Sequence, residues 1–181
     1  MTRFKSIISI LFLASIALTS CKKDEDDIVI PNEEEVITTL KYVLTPNGGG
    51  QTVELSFKDL DGDGGNAPVI TGGVLEANKT YTGRLTLLNE QESPAENITT
   101  EVQEEDEDHQ FFFQTNIAGF AVAYADQDIN GNPVGLQSSI TTTNAGSGTL
   151  TITLRHEPNK SASGVADGDI TNAGGDRKAH V

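Results

Sequence analysis

The chain has 181 residues and a formal net charge of −15, with 27 acidic side chains against 12 basic ones. A length of this order fits a single domain. The excess of acid argues against nucleic acids and anionic membrane surfaces as partners, because both require a basic patch. The chain also lacks tryptophan and carries 18 glycines, which together with many threonines and asparagines is typical of an antiparallel β protein with many turns.

The first twenty residues predict a secretory signal. Arg3 and Lys5 precede a nearly continuous apolar run over residues 7–18. This run is too short for an ordinary spanning helix and matches the apolar region of a signal peptide.

The only cysteine of the chain follows this run, in Leu18-Thr19-Ser20-Cys21. The four residues resemble the bacterial lipobox, in which the cysteine thiol is diacylated and the peptide bond before it is cut. We therefore expect residues 1–20 to be a lipoprotein signal peptide and Cys21 to be the lipidated residue. An ordinary signal peptide followed by an unrelated cysteine is the alternative. A lipidated cysteine leaves none for a disulfide within the chain, so the fold must rest on its own core.

Residues 21–35 are expected to form an acidic tether. The segment Lys22-Lys23-Asp24-Glu25-Asp26-Asp27 resembles the acidic export signal that follows the lipidated cysteine in surface lipoproteins of Bacteroidota. That resemblance implies a protein anchored in the outer membrane and exposed at the cell surface. The alternatives are a solvated spacer, since charge runs are usually disordered, and a location on the periplasmic face. Without residues 1–20, ten basic side chains against 27 acidic ones give a formal charge of −17.

An alternation of apolar and polar side chains with a period of two predicts a series of short strands. In the first of them Leu40, Tyr42 and Leu44 share one face. Turn residues recur about every eight to twelve residues, which favours a single antiparallel β-sandwich of seven or eight strands, with a small closed barrel as the alternative. The predicted strands cover residues 36–44, 52–58, 80–89, 109–114, 120–125, 136–140 and 149–156.

One short helix is predicted over residues 94–106. Ser93 is a candidate N-cap, Pro94 suits the first helical position, and Glu96 completes a capping box. Ala95, Ile98 and Val102 form a narrow apolar stripe at helical spacing. Acidic residues crowd the last turn and oppose the helix dipole, so we expect this end to fray unless a cation or a basic neighbour lies beside it.

Two turns carry oxygen-bearing side chains at every second position, followed by glycine, as at the start of an EF-hand calcium loop. The twelfth positions are Ile70 and Gln137 rather than glutamate, and no helices flank either loop. We therefore rank an ordinary turn first and a calcium site second for both. The candidate calcium ligands are Asp59, Asp61 and Asp63 in the first turn, and Asp126, Asp128 and Asn130 in the second.

His109 and His156 are the candidate ligands for a haem or a metal ion. Each shares the parity of apolar neighbours in its predicted strand. A histidine in such a position is more often a hydrogen-bonded core residue than a ligand, so the core interpretation ranks first.

The last segment of the chain shows no strand pattern. Residues 157–176 are rich in glycine, aspartate and asparagine, and Arg177-Lys178-Ala179-His180-Val181 does not alternate. We expect the β domain to cover residues 36–176 and residues 177–181 to be an unstructured or truncated tail. Such an ending would leave one sheet edge unpaired.

Five segments, at residues 32–39, 57–59, 80–83, 148–156 and 172–176, resemble a group of short Bacteroidota lipoproteins. The resemblance covers most of the mature chain and implies no particular function. Members often carry the label "type 1 periplasmic binding fold", which describes two domains of alternating strands and helices, whereas this sequence predicts one domain with one helix. In these relatives the Gly-Gly-Asp stretch leads into a final strand.

Three functions are weighed. The first is a binding module on the surface or in the periplasm, an accessory to an outer-membrane uptake receptor. The second is a structural or adhesive module stiffened by calcium. An enzyme ranks last, because the chain has no nucleophile elbow, zinc-protease helix or phosphate loop, and its only cysteine is assigned to the lipid.

Overall fold

In a computed structural model, residues 35–62 and 65–181 are described, so the expected signal peptide, Cys21 and all of the tether except Glu35 lie outside the described residues. The described part of the chain contains one helix, α1 (Ile98–Glu104), and nine strands. The strands are β1 (Thr39–Pro46), β2 (Val53–Lys58), β3 (Val69–Thr71), β4 (Lys79–Leu88), β5 (His109–Thr115), β6 (Phe120–Tyr124), β7 (Gln137–Thr142), β8 (Leu150–His156) and β9 (Asp176–His180).

These strands form two antiparallel sheets of unequal size. The large sheet has the order β3-β2-β1-β4-β7-β6 and the small sheet the order β5-β8-β9. The predicted β-sandwich is confirmed, with nine strands rather than seven or eight. The alternative of a closed barrel is wrong, because each sheet ends in edge strands.

The core lies between the sheets and is built from rows of side chains set by strand register. On β1, Leu40, Tyr42 and Leu44 all point inward and are buried, as their alternation predicts. Their partners on the neighbouring strands β2 and β4 are Phe57 and Leu87, Leu55 and Leu85, and Val53 and Gly83. The small sheet contributes Phe111, Ile152 and Leu154 to the same core.

The outer face of the small sheet is also covered. Phe112 on β5 is fully buried against Val165 and Ala173. These two residues belong to the segment 157–175, which folds over the sheet through 3-10 turns at Val165–Asp167 and Ile170–Asn172. This polar, glycine-rich segment is therefore a third layer of the domain. Among the described residues, no helix has the length and apolar character needed to cross a membrane.

The helix is shorter than predicted and begins later. Asn97, not Ser93, is the N-cap, and its side chain accepts a hydrogen bond from the backbone N–H of Thr99. Glu96 is held in a bridge with Asn89, each backbone N–H donating to the other's carbonyl at 3.0 Å. This pairing with the end of β4 removes residues 94–96 from the helix. Ile98 and Val102 are buried, as the predicted stripe requires, but Ala95 precedes the helix and is exposed.

The prediction of an unstructured tail is wrong, because Asp176–His180 forms strand β9 against β8. Val181 and Ile152 then exchange two backbone hydrogen bonds of 3.0 and 2.8 Å. The sequence of β9 does not alternate between apolar and polar side chains because the strand lies at a sheet edge. There backbone pairing specifies the strand while most of its side chains face solvent.

Replacing Gly83 by alanine should destabilise the domain. A Cβ atom at this position would lie 2.5 Å from the Ser138 hydroxyl and 2.6 Å from the Tyr42 hydroxyl, two buried groups that are hydrogen-bonded to each other. We expect Gly83→Ala to lower the free energy of unfolding by about 2 kcal/mol in urea titrations, the usual cost of overpacking. The matched control Gly72→Ala, where a Cβ meets nothing within 4 Å, should change it by less than about 0.5 kcal/mol. Equal effects of the two substitutions would contradict this account.

Candidate functional site

An apolar cleft opens where the inner face of the large sheet extends past the small sheet. Its volume is about 700 Å³. Leu55 and Phe57 of β2 form one wall, and Leu150 and Ile152 of β8 stand across from them. Ile117, in the loop before β6, and Phe120, at the start of β6, also line the cleft.

The loop between β3 and β4 forms one side of the cleft and is fixed by specific contacts. Gly73 allows close packing on β2, since a Cβ atom there would lie 2.3 Å from a methyl group of Val53. The backbone N–H of Glu76 donates to the Tyr81 hydroxyl at 2.8 Å, and the Thr142 hydroxyl donates to the Glu76 carbonyl at 2.6 Å. The wall is therefore held in place before any ligand arrives.

The chemistry of the cleft is nearly free of charge. Its polar side chains are hydroxyls and one amide, from Ser56, Thr71, Thr142, Asn144, Ser147, Thr149 and Thr151. Among the described residues that line it, Glu76 has the one acidic side chain, and its oxygen lies 3.6 Å from the Lys79 ammonium group. Burial raises the pKa of Tyr42 to about 12, so this phenol stays neutral at the bottom of the cleft.

The rim of the cleft is apolar and exposed to solvent. Ile70 and Val74 have exposed fractions of 70% and 89%. Burying such side chains against a ligand removes apolar area from water, which stabilises a complex by roughly 25 cal/mol per Å². The cleft and its rim together are suited to a ligand with an apolar, uncharged surface.

The two candidate histidines come together at another place in the sandwich. His109 and His156 are register partners on β5 and β8, and their ring centroids lie 4.9 Å apart. His109 is fully buried. Its Nε2 lies 2.7 Å from Glu35 Oε1, and its Nδ1 lies 2.9 Å from the carbonyl oxygen of Glu105 at the end of α1.

Glu35 and His109 form a buried ion pair that a lysine extends. The Lys178 ammonium group lies 3.3 Å from Glu35 Oε2. Burial by itself would raise the pKa of Glu35, but the hydrogen bond from His109 and the charges of His109 and Lys178 lower this pKa to about 2. Burial likewise opposes the charged form of His109, yet the hydrogen bonds to Glu35 and to the Glu105 carbonyl leave its pKa raised.

This cluster favours the core interpretation of the histidines. The ligand atoms of Glu35, Glu105, His109 and His156 lie within 4.8 Å of one another, so the group could hold a metal ion. However, Glu35 and His109 are already at hydrogen-bonding distance. A divalent ion at Glu35 would also be repelled by the Lys178 ammonium group. A haem face cannot reach His109 without opening the core. The contacts shown instead fasten the residue ahead of β1 to β5, β9 and the end of the helix.

The sequence did not reveal two members of this cluster. Glu35 follows Glu33 and Glu34, and nothing local separates it from the expected tether, although its side chain is buried. Lys178 lies in the segment expected to be unstructured. The basic neighbour required by the acidic helix end is present: His109 meets the Glu105 carbonyl, and Lys160 donates to the Asp106 carbonyl at 2.5 Å.

In the first Asp-rich turn the carboxylates accept local hydrogen bonds. Asp59 Oδ1 accepts from the N–H of Gly62 at 3.0 Å, and Asp61 Oδ2 accepts from the backbone and side chain of Asn66. Asp63, the third candidate ligand, lies outside the described residues. The contacts shown are those of an Asx-type turn.

The second Asp-rich turn is fixed from within and by a buried lysine. Asp126 accepts from the N–H groups of Gly135 and Gln137, and the Asn130 amide donates to Glu107. Asp128 accepts from two backbone N–H groups and from Lys160 at 3.0 Å. Because an ammonium group already neutralises the buried Asp128, the contacts favour the turn that ranked first over a calcium site. Lys160 is itself buried, which no local pattern indicates.

Comparison of the chain with protein-family models, curated proteins and solved structures finds no match.

Substituting His109 tests the buried ion pair. Removing one partner of such a pair leaves the other charge buried without its counterion. His109→Gln should therefore lower the free energy of unfolding by about 3 kcal/mol. In a double-mutant cycle with Glu35→Gln the two losses should be less than additive. Additive losses would contradict a direct interaction.

The same variant should change the dependence of stability on pH. The lowered pKa of Glu35 gives stability that is present above about 4.5, its ordinary value, and is lost as the pH falls toward 2. The raised pKa of His109 gives stability that is present below 6.5 and is lost as the pH rises through its folded value. In urea titrations, the free energy of unfolding of the wild type should therefore exceed that of His109→Gln by the largest amount between about pH 4.5 and 6.5. A constant difference from pH 3 to pH 9 would contradict the coupling.

Proposed function

We propose that this domain is a lipid-anchored binding module outside the cytoplasm, and that its ligand presents an apolar, uncharged surface to the cleft. One observation carries the proposal: a cleft of about 700 Å³ that is lined by apolar side chains and bounded by ordered walls. Ligand sites in proteins have volumes of roughly 300–1,000 Å³ and combine apolar walls with a few polar groups.

The composition of the cleft favours binding over catalysis. General acid–base chemistry requires paired titratable groups within reach of one reacting atom. The described residues that line the cleft include one acidic side chain, that of Glu76, and no histidine, cysteine, lysine or arginine. Hydroxyl and amide groups are suited to orienting a ligand.

The location we propose rests on the sequence. Lipidation at Cys21 would hold the domain at the outer membrane, and the acidic segment after it favours the outward-facing surface. A tethered module with an apolar cleft suits an accessory that passes material to an outer-membrane uptake receptor. The calcium-stiffened module is the weaker candidate, because Lys160 already occupies the Asp128 carboxylate.

Binding of the uncharged dye N-phenyl-1-naphthylamine tests the cleft directly. The chain has no tryptophan, so the dye signal has little competition from the protein. Ile70→Asp would place a charge at the rim, where a bound apolar ligand must desolvate it. We expect this substitution to weaken dye binding at least ~5-fold, because burying an unpaired charge is costly.

Val69→Asp is the matched control. Val69 precedes Ile70 on β3, is similarly exposed and does not line the cleft. The Val69→Asp substitution should leave the dissociation constant of the dye within about twofold of the wild-type value, as expected for a surface change away from the site. No dye binding by wild type, or equal losses in the two variants, would overturn the proposed site.

The anchor is tested in cells. Cys21→Ala should abolish incorporation of radiolabelled palmitate and release the protein from the membrane fraction, because the acyl chains supply the anchoring free energy. Lys23→Ala should keep both properties. Label retained by Cys21→Ala would exclude lipidation at this residue.

A further inference from the structure

The small sheet ends next to the cleft in a strand with an unpaired edge. Strand β9 pairs with β8 on one side, and the described residues provide no partner on its other side. Val181, directly after β9, lines the cleft together with Leu55 and Phe57 of the large sheet. The free edge of β9 therefore reaches the cleft at its C-terminal end, where Val181 lies.

Because the two sheets differ in width, the small sheet leaves part of the inner face of the large sheet uncovered beyond β9. At about 4.8 Å between neighbouring strands, the small sheet is about 10 Å wide between its outer strands and the large sheet about 24 Å. Phe113 of β5 lies against Tyr124 of β6, with ring centroids 6.2 Å apart. The Phe113 ring also lies 5.7 Å from the ring of Tyr42 on β1, so β5 lies over the strands from β1 to β6. The side chains of β2 are only partly buried, and the uncovered width therefore lies toward β2 and β3.

The backbone at this edge is ready to pair. Val181 exchanges both of its hydrogen bonds with Ile152. Because backbone groups alternate in direction along a strand, the N–H and C=O of the preceding residue, His180, point away from β8. An extended chain placed there would accept and donate hydrogen bonds and would set every second side chain over the cleft.

The charge beside the edge of β9 indicates which side chains an added strand would have on the face that points away from the cleft. Arg155 and Arg177 are register partners on the outer face of the small sheet. Among the described residues, no carboxylate lies within ion-pair distance of either guanidinium group. In a chain with a net charge of −15, this pair is a local basic site that is complementary to acidic side chains.

A second copy of the domain does not fit this edge. Two β9 strands paired antiparallel would be related by a twofold axis perpendicular to the sheet, which places both large sheets on the same side. Strands β2 and β3 of each copy extend past β9 on that side, so the two copies would occupy the same space. The edge admits a single strand.

We propose that the ligand of the cleft is an extended segment of a partner protein, with acidic and apolar residues in alternation, which adds to β9 as a fourth strand of the small sheet. Its apolar side chains enter the cleft over Leu55 and Phe57, and its acidic side chains lie beside Arg155 and Arg177. This inference rests on the proposed function and names the class of ligand that the cleft takes.

The test uses the full-length chain and a fluorescein-labelled heptapeptide, Glu-Val-Glu-Val-Glu-Val-Glu, with binding followed by fluorescence anisotropy. Two N-methylated forms block opposite edges of the peptide, one at the valine amides and the other at the glutamate amides. One form should lose at least ~10-fold in affinity and the other should stay within about threefold, because only one set of N–H groups faces β9. A peptide of the same composition without alternation should also lose at least ~10-fold, since its valines cannot all face the cleft.

Two pairs of protein variants test the edge itself. His180→Pro removes the outward N–H and should weaken peptide binding at least ~5-fold relative to His180→Ala, which keeps it. Arg177→Glu should weaken binding by a similar factor, whereas Arg84→Glu, the same change of charge on β4, should have less than a twofold effect. Thermal unfolding of each variant establishes that it is folded.

The outcomes separate the two proposals. If the apolar dye binds but the alternating peptide does not, or if both N-methylated forms bind as the parent peptide does, strand addition is wrong and the apolar cleft stands. If neither dye nor peptide binds, both proposals fall. Binding that responds to Arg84→Glu as strongly as to Arg177→Glu would reduce the peptide contact to general electrostatic attraction and overturn the assigned edge.

Discussion

A sheet of three strands cannot cover a sheet of six, and this difference in width determines where the domain has a closed core and where it has a cleft. A sheet with one apolar face must bury that face against another element. Here β5, β8 and β9 cover the middle of the large sheet, formed by β1, β4 and β7, where the core residues are almost completely buried. Over β2 the apolar side chains Val53, Leu55 and Phe57 are only partly buried. The cleft is the uncovered remainder of the inner face, and its apolar character follows from the alternation along β2.

The domain reverses the usual distribution of polarity at two places. Apolar side chains are exposed at the rim of the cleft, whereas His109, Glu35 and Lys160 are buried. The buried groups are tolerated because each has a partner: Glu35 for His109, Lys178 for Glu35, and Asp128 for Lys160. An unpaired charge in these positions would be costly. These pairs join segments distant in sequence and so make the ends of the sandwich depend on one another.

Local patterns predicted the elements that are defined by one buried face. The inward positions of β1, β4 and β8 follow from alternation with a period of two, because half of each strand faces the core. The prediction failed where distant contacts decide the structure. The bridge from Asn89 to Glu96 shortens the helix, and β9 is specified by backbone pairing at an edge. Glu35 and Lys160 are buried through partners 74 and 32 residues away.

The cleft could not be predicted from the sequence for a related reason. Leu55 and Phe57 look like ordinary core positions of a strand, and they become the wall of a cleft only because β2 lies near the edge of the larger sheet. Strand order, which local patterns do not encode, determines whether such a residue lies in the core or lines the cleft. Likewise, the meeting of His109 and His156 required the pairing of β5 with β8, although their shared parity correctly placed both on a buried face.

An exposed apolar rim favours self-association, and the charge of the chain counteracts this. With a net charge of −15, identical copies repel one another over distances of about a Debye length, roughly 8 Å at physiological ionic strength. The same net charge also repels an acidic partner, and in the proposed complex Arg155 and Arg177 would offset this repulsion locally. A lipid tether would add to this selectivity, because confinement at a membrane raises the local concentration of a co-anchored partner without any new contact. Under the proposed function, the neutral cleft and the basic edge would select the partner, while the acidic surface limits association of identical copies.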